Sequence, residues 1–167
     1  MHFSISLTTI FACSLERAFK TPMLCDVTKI HTGYGLMPKI IAVTEDAGWG
    51  QPGSSKKVIA AKSPAFQGGV ASTDHVLERI ENAHWKIEVR DFTAWMLGFY
   101  AFTGTWDTKE IAPGKVEVNY SYVLHARQPL FYPLAWMFAH LFWKKYMRRV
   151  IENVRQLAYS EEPYMYP

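Results

Sequence analysis

The chain has 167 residues, 49% of them hydrophobic and 20% charged, with a net charge of +3, which suits one soluble domain built on a single core. Its basic residues are scattered among acidic ones except at Lys56 and Lys57 and in the run KKYMRR, so a dense phosphate-reading face for nucleic acid is excluded. The two cysteines, Cys13 and Cys25, form no CxxC pair and no cluster with histidine, which excludes a disulfide-held or metal-held scaffold and points to reduced thiols in the cytoplasm.

At the amino terminus, Phe3, Ile5 and Leu7 alternate with His2, Ser4, Ser6 and Thr8. That is the period of a half-buried strand, and with no Lys or Arg at the start it argues against an export signal. SLERAFKTP then places Leu15, Ala18 and Phe19 on one helical face behind Ser14 as N-cap, with Pro22 expected to limit the helix. A second short helix or turn is expected over residues 23–30.

Residues 39–44 read as a strand, DAGWGQPGSS as a Gly/Pro-rich connection, and 56–62 as the next strand. SPAFQGG makes a turn into a longer strand over 70–80, and ENAH a tight connection into WKIEVRDF. There Trp85, Ile87 and Val89 face one way, while His84, Lys86, Glu88 and Arg90 face the other. FYAFTGTWDTKEIAPGK supplies a further strand and an Ala-Pro-Gly turn. In KVEVNYSYVLH, Val116, Val118, Tyr120, Tyr122 and Leu124 oppose Lys115, Glu117, Asn119 and Ser121. The predicted sheet is antiparallel, with one wet face and one covered face.

PLFYPLAWMFAHLFW, residues 129–143, carries no formal charge and runs straight into KKYMRR. Pro133 cannot donate to the carbonyl four residues back, so a helix is expected to start near it. From there to Trp143 it spans only about 16 Å, against roughly 30 Å of bilayer hydrocarbon, too little to cross. In the carboxyl half, Met147, Val150, Ile151, Val154 and Leu157 form one stripe opposite Lys145, Arg148, Glu152 and Arg155. Extended backward at the helical period, the stripe passes through Trp143, His140 and Trp136, which are therefore expected to face the sheet. Leu134, Met137, Phe138 and Leu141 then form an outer apolar patch beside Lys144, Lys145, Arg148 and Arg149. A second copy of the chain, a covering loop of the same chain and peripheral contact with an anionic membrane all fit that patch.

The order strand, two short helices, six strands and a long C-terminal helix resembles the START-like (SRPBCC) superfamily, which includes birch-pollen allergens and polyketide cyclase/dehydrase-like proteins. The resemblance spans nearly the whole chain, read as a single domain over 1–167. It is carried by SLERAFKTP, WGQPGSSKKV, VLERIENAHWKIEV and FTGTWDT followed by GKVEVNYSY. It implies an α+β helix-grip fold, a curved seven-stranded antiparallel sheet wrapped around the C-terminal helix, with a cavity between them for a lipid, sterol, polyketide or other apolar molecule. On that basis Trp85, Ile87, Val89, Val118, Tyr120, Tyr122, Trp136, His140 and Trp143 are the ligand-binding candidates, and His140 with the tyrosine hydroxyls would orient the ligand. A filled core with His140 hydrogen-bonded to a neighbour is the competing reading.

No HExxH, GxSxG, P-loop or Rossmann glycine pattern is present, and the six histidines lack metal-ligand spacing, so neither cofactor nor metal is expected. Acid/base candidates are His75, Asp91, His125 and His140, of which catalysis needs at least two converging on one cavity. The sequence is therefore read as that of a protein binding or transporting a hydrophobic small molecule without turnover. A cyclase/dehydratase-type enzyme on the same cavity, or a protein-interaction module of the same fold, is the alternative.

Overall fold

A computed structural model describes residues 1–45, 48–94 and 98–167. Of the expected DAGWGQPGSS connection, Asp46 and Ala47 lie outside the described residues. The elements follow the expected order: β1 (His2–Phe11), α1 (Leu15–Leu24), α2 (Val27–Ile30), β2 (Ile40–Glu45), β3 (Ser55–Ala60), β4 (Gly69–Ile80), β5 (His84–Arg90), β6 (Phe99–Ala112) and β7 (Lys115–Ala126). The strands form one seven-stranded antiparallel sheet in the order β1-β7-β6-β5-β4-β3-β2. Its concave face holds Phe3, Ile5, Phe11, Val76, Trp85, Phe102, Trp106, Val116, Val118 and Leu124, all buried. The convex face is wet, with Lys86 Nζ donating to Glu78 at 2.8 Å and Ser6 to Asn119 at 2.8 Å.

Ser14 caps α1 by accepting from the Arg17 N–H at 3.3 Å. Pro22 does not limit this helix; it sits inside it, and α1 continues to Leu24. Proline removes the N–H that would close on the Ala18 carbonyl, and the Trp106 indole N–H reaches that carbonyl instead, at 3.0 Å. Two more indoles do similar service: Trp85 donates to the Phe19 carbonyl at 2.8 Å and Trp49 to the Met23 carbonyl at 2.9 Å. Three tryptophans from the sheet and the connection before β3 thus hold the buried backbone of α1.

The C-terminal helix departs from the sequence reading in its middle. After a 3₁₀ turn at Pro129–Phe131, it runs as α3 (Tyr132–Met137), a π segment (Phe138–Trp143) and α4 (Lys144–Tyr159). In α4 the expected stripe of Met147, Val150, Ile151, Val154 and Leu157 is buried. A π turn closes its hydrogen bonds at i→i+5 and so takes in one extra residue. The phase N-terminal to it is therefore displaced by one position from the 3.6-residue extrapolation. Ala135 and Ala139 are fully buried where Trp136 and His140 were expected. Trp136 turns outward, 45% exposed. Phe138, expected outside, turns inward against Phe99 and Trp143, with ring centroids 5.6 and 6.0 Å away.

Candidate functional site

Between the sheet and the C-terminal helix lies an open cavity of about 400 Å³. Native interiors leave few voids larger than a water molecule, so a space of this size is a constructed feature rather than imperfect packing. Val58, Ala60, Ile87, Val89 and Phe102 form its sheet wall, and Phe138, Phe142, Trp143 and Tyr146 form its helix wall. Leu36, Met37, Pro38, Ala65, Phe66, Phe92 and Ala94 come from connections between elements and frame the mouth. The Ser63 hydroxyl donates to the Leu36 carbonyl at 3.3 Å and ties two of those connections together.

The cavity continues into a recess of about 50 Å³ lined by Met23, Trp49, Lys56, Trp85, Trp106 and Tyr120, with Val27, His31, Asp74, Ile87 and Tyr122 shared between the two spaces. Gly104 shapes this region. It stands directly opposite Tyr122 in the β6–β7 register, and a Cβ there would lie 2.8 Å from the Tyr122 ring. Hydrogen in place of a side chain lets that ring lie across β6.

Three of the polar side chains, His31, Asp74 and Tyr122, stand where the main cavity and the recess meet. His31 caps the C-terminus of α2, and its Nδ1 lies 2.6 Å from the Tyr146 hydroxyl. Burial, assisted by the charge of Lys56, pushes the His31 imidazole down to about 4, so the ring is neutral at pH 7. Asp74 faces Lys56 across the β3–β4 ladder. Burial raises the Asp74 carboxyl to about 6, while Lys56 and a hydrogen bond to Ser72 pull the other way. Burial likewise drives the Tyr120, Tyr122 and Tyr146 hydroxyls well above their ordinary range, which keeps them protonated and able to donate. Lys56 Nζ rests 3.8 Å from the centroid of the Trp49 ring.

Of the sequence candidates, Ile87 and Tyr122 line both spaces, Val89 and Trp143 the main cavity, and Trp85 and Tyr120 the recess. Val118 is fully buried in the core and does not line the cavity. Trp136 and His140 are displaced from the expected wall by the π turn. The His140 ring lies between Phe3, 6.4 Å away, and Trp136, 4.9 Å away. Phe138 has moved from the outer patch to the wall for the same reason, while Leu134, Met137 and Leu141 stay on the outer surface, each about half exposed. None of the four acid/base candidates lines the cavity. His75 accepts from Arg90 Nε at 3.0 Å, His125 pairs with Thr103 at 2.9 Å, and Asp91 is exposed.

His31, Lys56, Ser72, Asp74 and Tyr146 were not anticipated. The signal for three of them is strand parity: Lys56 shares a face with Val58 and Ala60, and Ser72 and Asp74 share one with Val76. Tyr146 adjoins Met147 on the buried stripe of α4. His31 ends a four-residue helix, too short to carry a periodic signal. Among the described residues no cluster of histidine, cysteine and carboxylate side chains is arranged to hold a metal ion.

No protein-family model and no curated protein matches this sequence. Solved structures do match its fold. Ara h 8.0201 superposes with a TM-score of 0.65 at 14% identity, covering 96% of this chain and 99% of its own. Norcoclaurine synthase from Thalictrum flavum, in complex with dopamine and hydroxybenzaldehyde, gives 0.68 at 12% identity, covering 98% of this chain and 90% of its own. A protein of unknown function from Staphylococcus aureus gives 0.72 at 10% identity, with 96% of both chains covered. At these identities the likeness is one of architecture, and the curved seven-stranded sheet closed on a long C-terminal helix is the helix-grip fold of the START-like proteins.

Proposed function

We propose that the protein binds a hydrophobic small molecule carrying one polar group, with the apolar body in the main cavity and the polar group directed at Asp74, His31 and Tyr146. The carrying observation is the chemistry of the cavity: its walls are mostly apolar and aromatic, and a small polar group converges where it meets the recess, with His31, Asp74 and Tyr122 lining both spaces and Tyr146 bonded to His31. Binding sites for small molecules are commonly apolar spaces of this size with a few convergent polar groups that fix orientation. The molecules named in complex with norcoclaurine synthase, dopamine and hydroxybenzaldehyde, are small and aromatic, which supports a small-molecule ligand on this architecture.

Displacement of a bound fluorescent fatty acid, with native mass spectrometry of gently purified protein, tests the proposal. Alcohols and phenols of graded size should displace the probe, and Val89→Trp, which fills the wall, should weaken binding at least tenfold while the protein stays folded. Absence of any retained molecule, together with no displacement by a varied set of apolar compounds, would sink the reading.

A second reading, cofactor-free proton-transfer chemistry on the bound molecule, is favoured by one observation. Asp74 and His31 line the same cavity and both titrate below neutrality. Asp74→Asn separates the two. A carrier would retain the same compound in wild type and variant, whereas an enzyme would accumulate substrate in the variant and release or retain product in the wild type.

A further inference from the structure

We infer that the outer face of α3 and the π segment is a docking surface for an anionic lipid bilayer, placed so that the cavity mouth meets the bilayer. Leu130, Tyr132, Leu134, Trp136, Met137 and Leu141 are large apolar side chains with exposures between 45% and 85%, crowded into twelve consecutive positions, and no described segment covers them. A monomer does not ordinarily leave so much contiguous apolar surface in water. The mixture of aliphatic side chains with Trp136 and Tyr132 is the composition favoured at a membrane–water boundary.

Charge decides the occupant. From Val118 to Ile151 the chain contains no Asp or Glu, while Arg127, Lys144, Lys145, Arg148 and Arg149 fall in that stretch. Lys145, Arg148 and Arg149 are exposed immediately beyond the apolar patch, and among the described residues none of the three is in a salt bridge. A two-fold contact between copies of this patch would bring together surfaces to which residues 118–151 contribute cations and no carboxylate, whereas anionic headgroups compensate them. The patch and the cavity share one segment: Leu141 points out while its neighbours Phe138 and Phe142 line the cavity, and Leu36, 61% exposed, stands at the mouth beside them. No helix among the described residues is long and apolar enough to span a bilayer, so the contact is peripheral.

The test is co-sedimentation of the full chain with vesicles of phosphatidylcholine alone or mixed equally with phosphatidylglycerol. The protein should sediment with the mixed vesicles only and be released by about 0.5 M salt, where screening reaches within a few ångströms. Lys145→Glu with Arg148→Glu should lower partitioning at least tenfold, since each basic residue near such a surface is worth about a fivefold change. Brominated phosphatidylcholine in the mixed vesicles should quench wild-type tryptophan fluorescence, and Trp136→Phe should remove most of that quenching. Failure to sediment, or equal salt-insensitive binding to neutral vesicles, overturns the inference. So does a solution dimer that Leu141→Glu converts to monomer, which would assign the patch to self-association.

Discussion

Pro22 costs α1 a backbone hydrogen bond at a point where the liberated carbonyl cannot reach water, and Trp106 restores it from the opposite layer. Trp106→Phe keeps a ring in place but leaves the Ala18 carbonyl buried without a donor, which should destabilise the fold by about 1–3 kcal/mol beyond the lost ring volume. Adding Pro22→Ala should recover much of that loss, because residue 22 then donates to Ala18 itself; a denaturant-melt double-mutant cycle measures the coupling. The sequence shows both residues but not their relation, which depends on a contact across 88 positions between the Trp106 indole and the Ala18 carbonyl. Asp74 and Lys56 were more legible. Alternation in their strands places them on the covered face, and a charge on a covered face marks either a pair or a site.

The C-terminal helix was readable wherever its period stayed at 3.6, and α4 has the buried stripe the sequence predicts. Six residues of π helix carry a different period, so every assignment read backward through them shifts by one: Trp136 and His140 leave the wall and Phe138 joins it. No pattern of side chains announces such a turn, since all fifteen residues of PLFYPLAWMFAHLFW are uncharged and either face could be covered. Its position beside the cavity mouth fits the general association of π turns with functional regions. Deleting Leu141, whose side chain is half exposed, should convert the segment to α helix without removing a packed group. Circular dichroism should remain close to wild type. Affinity for the cavity probe should drop at least tenfold as Phe138 and Phe142 are repositioned.

At the scale of the whole molecule, strand order and the two faces of the sheet follow from alternation, turn residues and the resemblance to the helix-grip fold. The cavity does not, because an unfilled space depends on which side chains fail to meet. Its inner groups also give the fold a pH signature. Asp74 titrates at about 6 against an ordinary 3.8, so its contribution is fully present below the lower value and is lost as pH rises to the higher. His31 titrates at about 4 against an ordinary 6.5, so its contribution is full above the higher value and is lost as pH falls to the lower. The two oppose each other between pH 4 and 6. Relative to wild type, Asp74→Asn should make stability climb with pH across that window by roughly 1–3 kcal/mol, and His31→Gln should make it fall, as read by urea melts at stepped pH. The pairing of β1 with β7 has a further consequence. His2 lies against His125 in that ladder, so β1 waits for β7, the last strand of the sheet, before it has a neighbour. α1 is made early and packs on β6 and β7, but the rest of the concave face has no cover until α4 has been synthesised. Nascent chains must therefore carry a partly uncovered apolar trough from the making of the sheet until α4 emerges, the period in which chaperone capture or aggregation competes with folding.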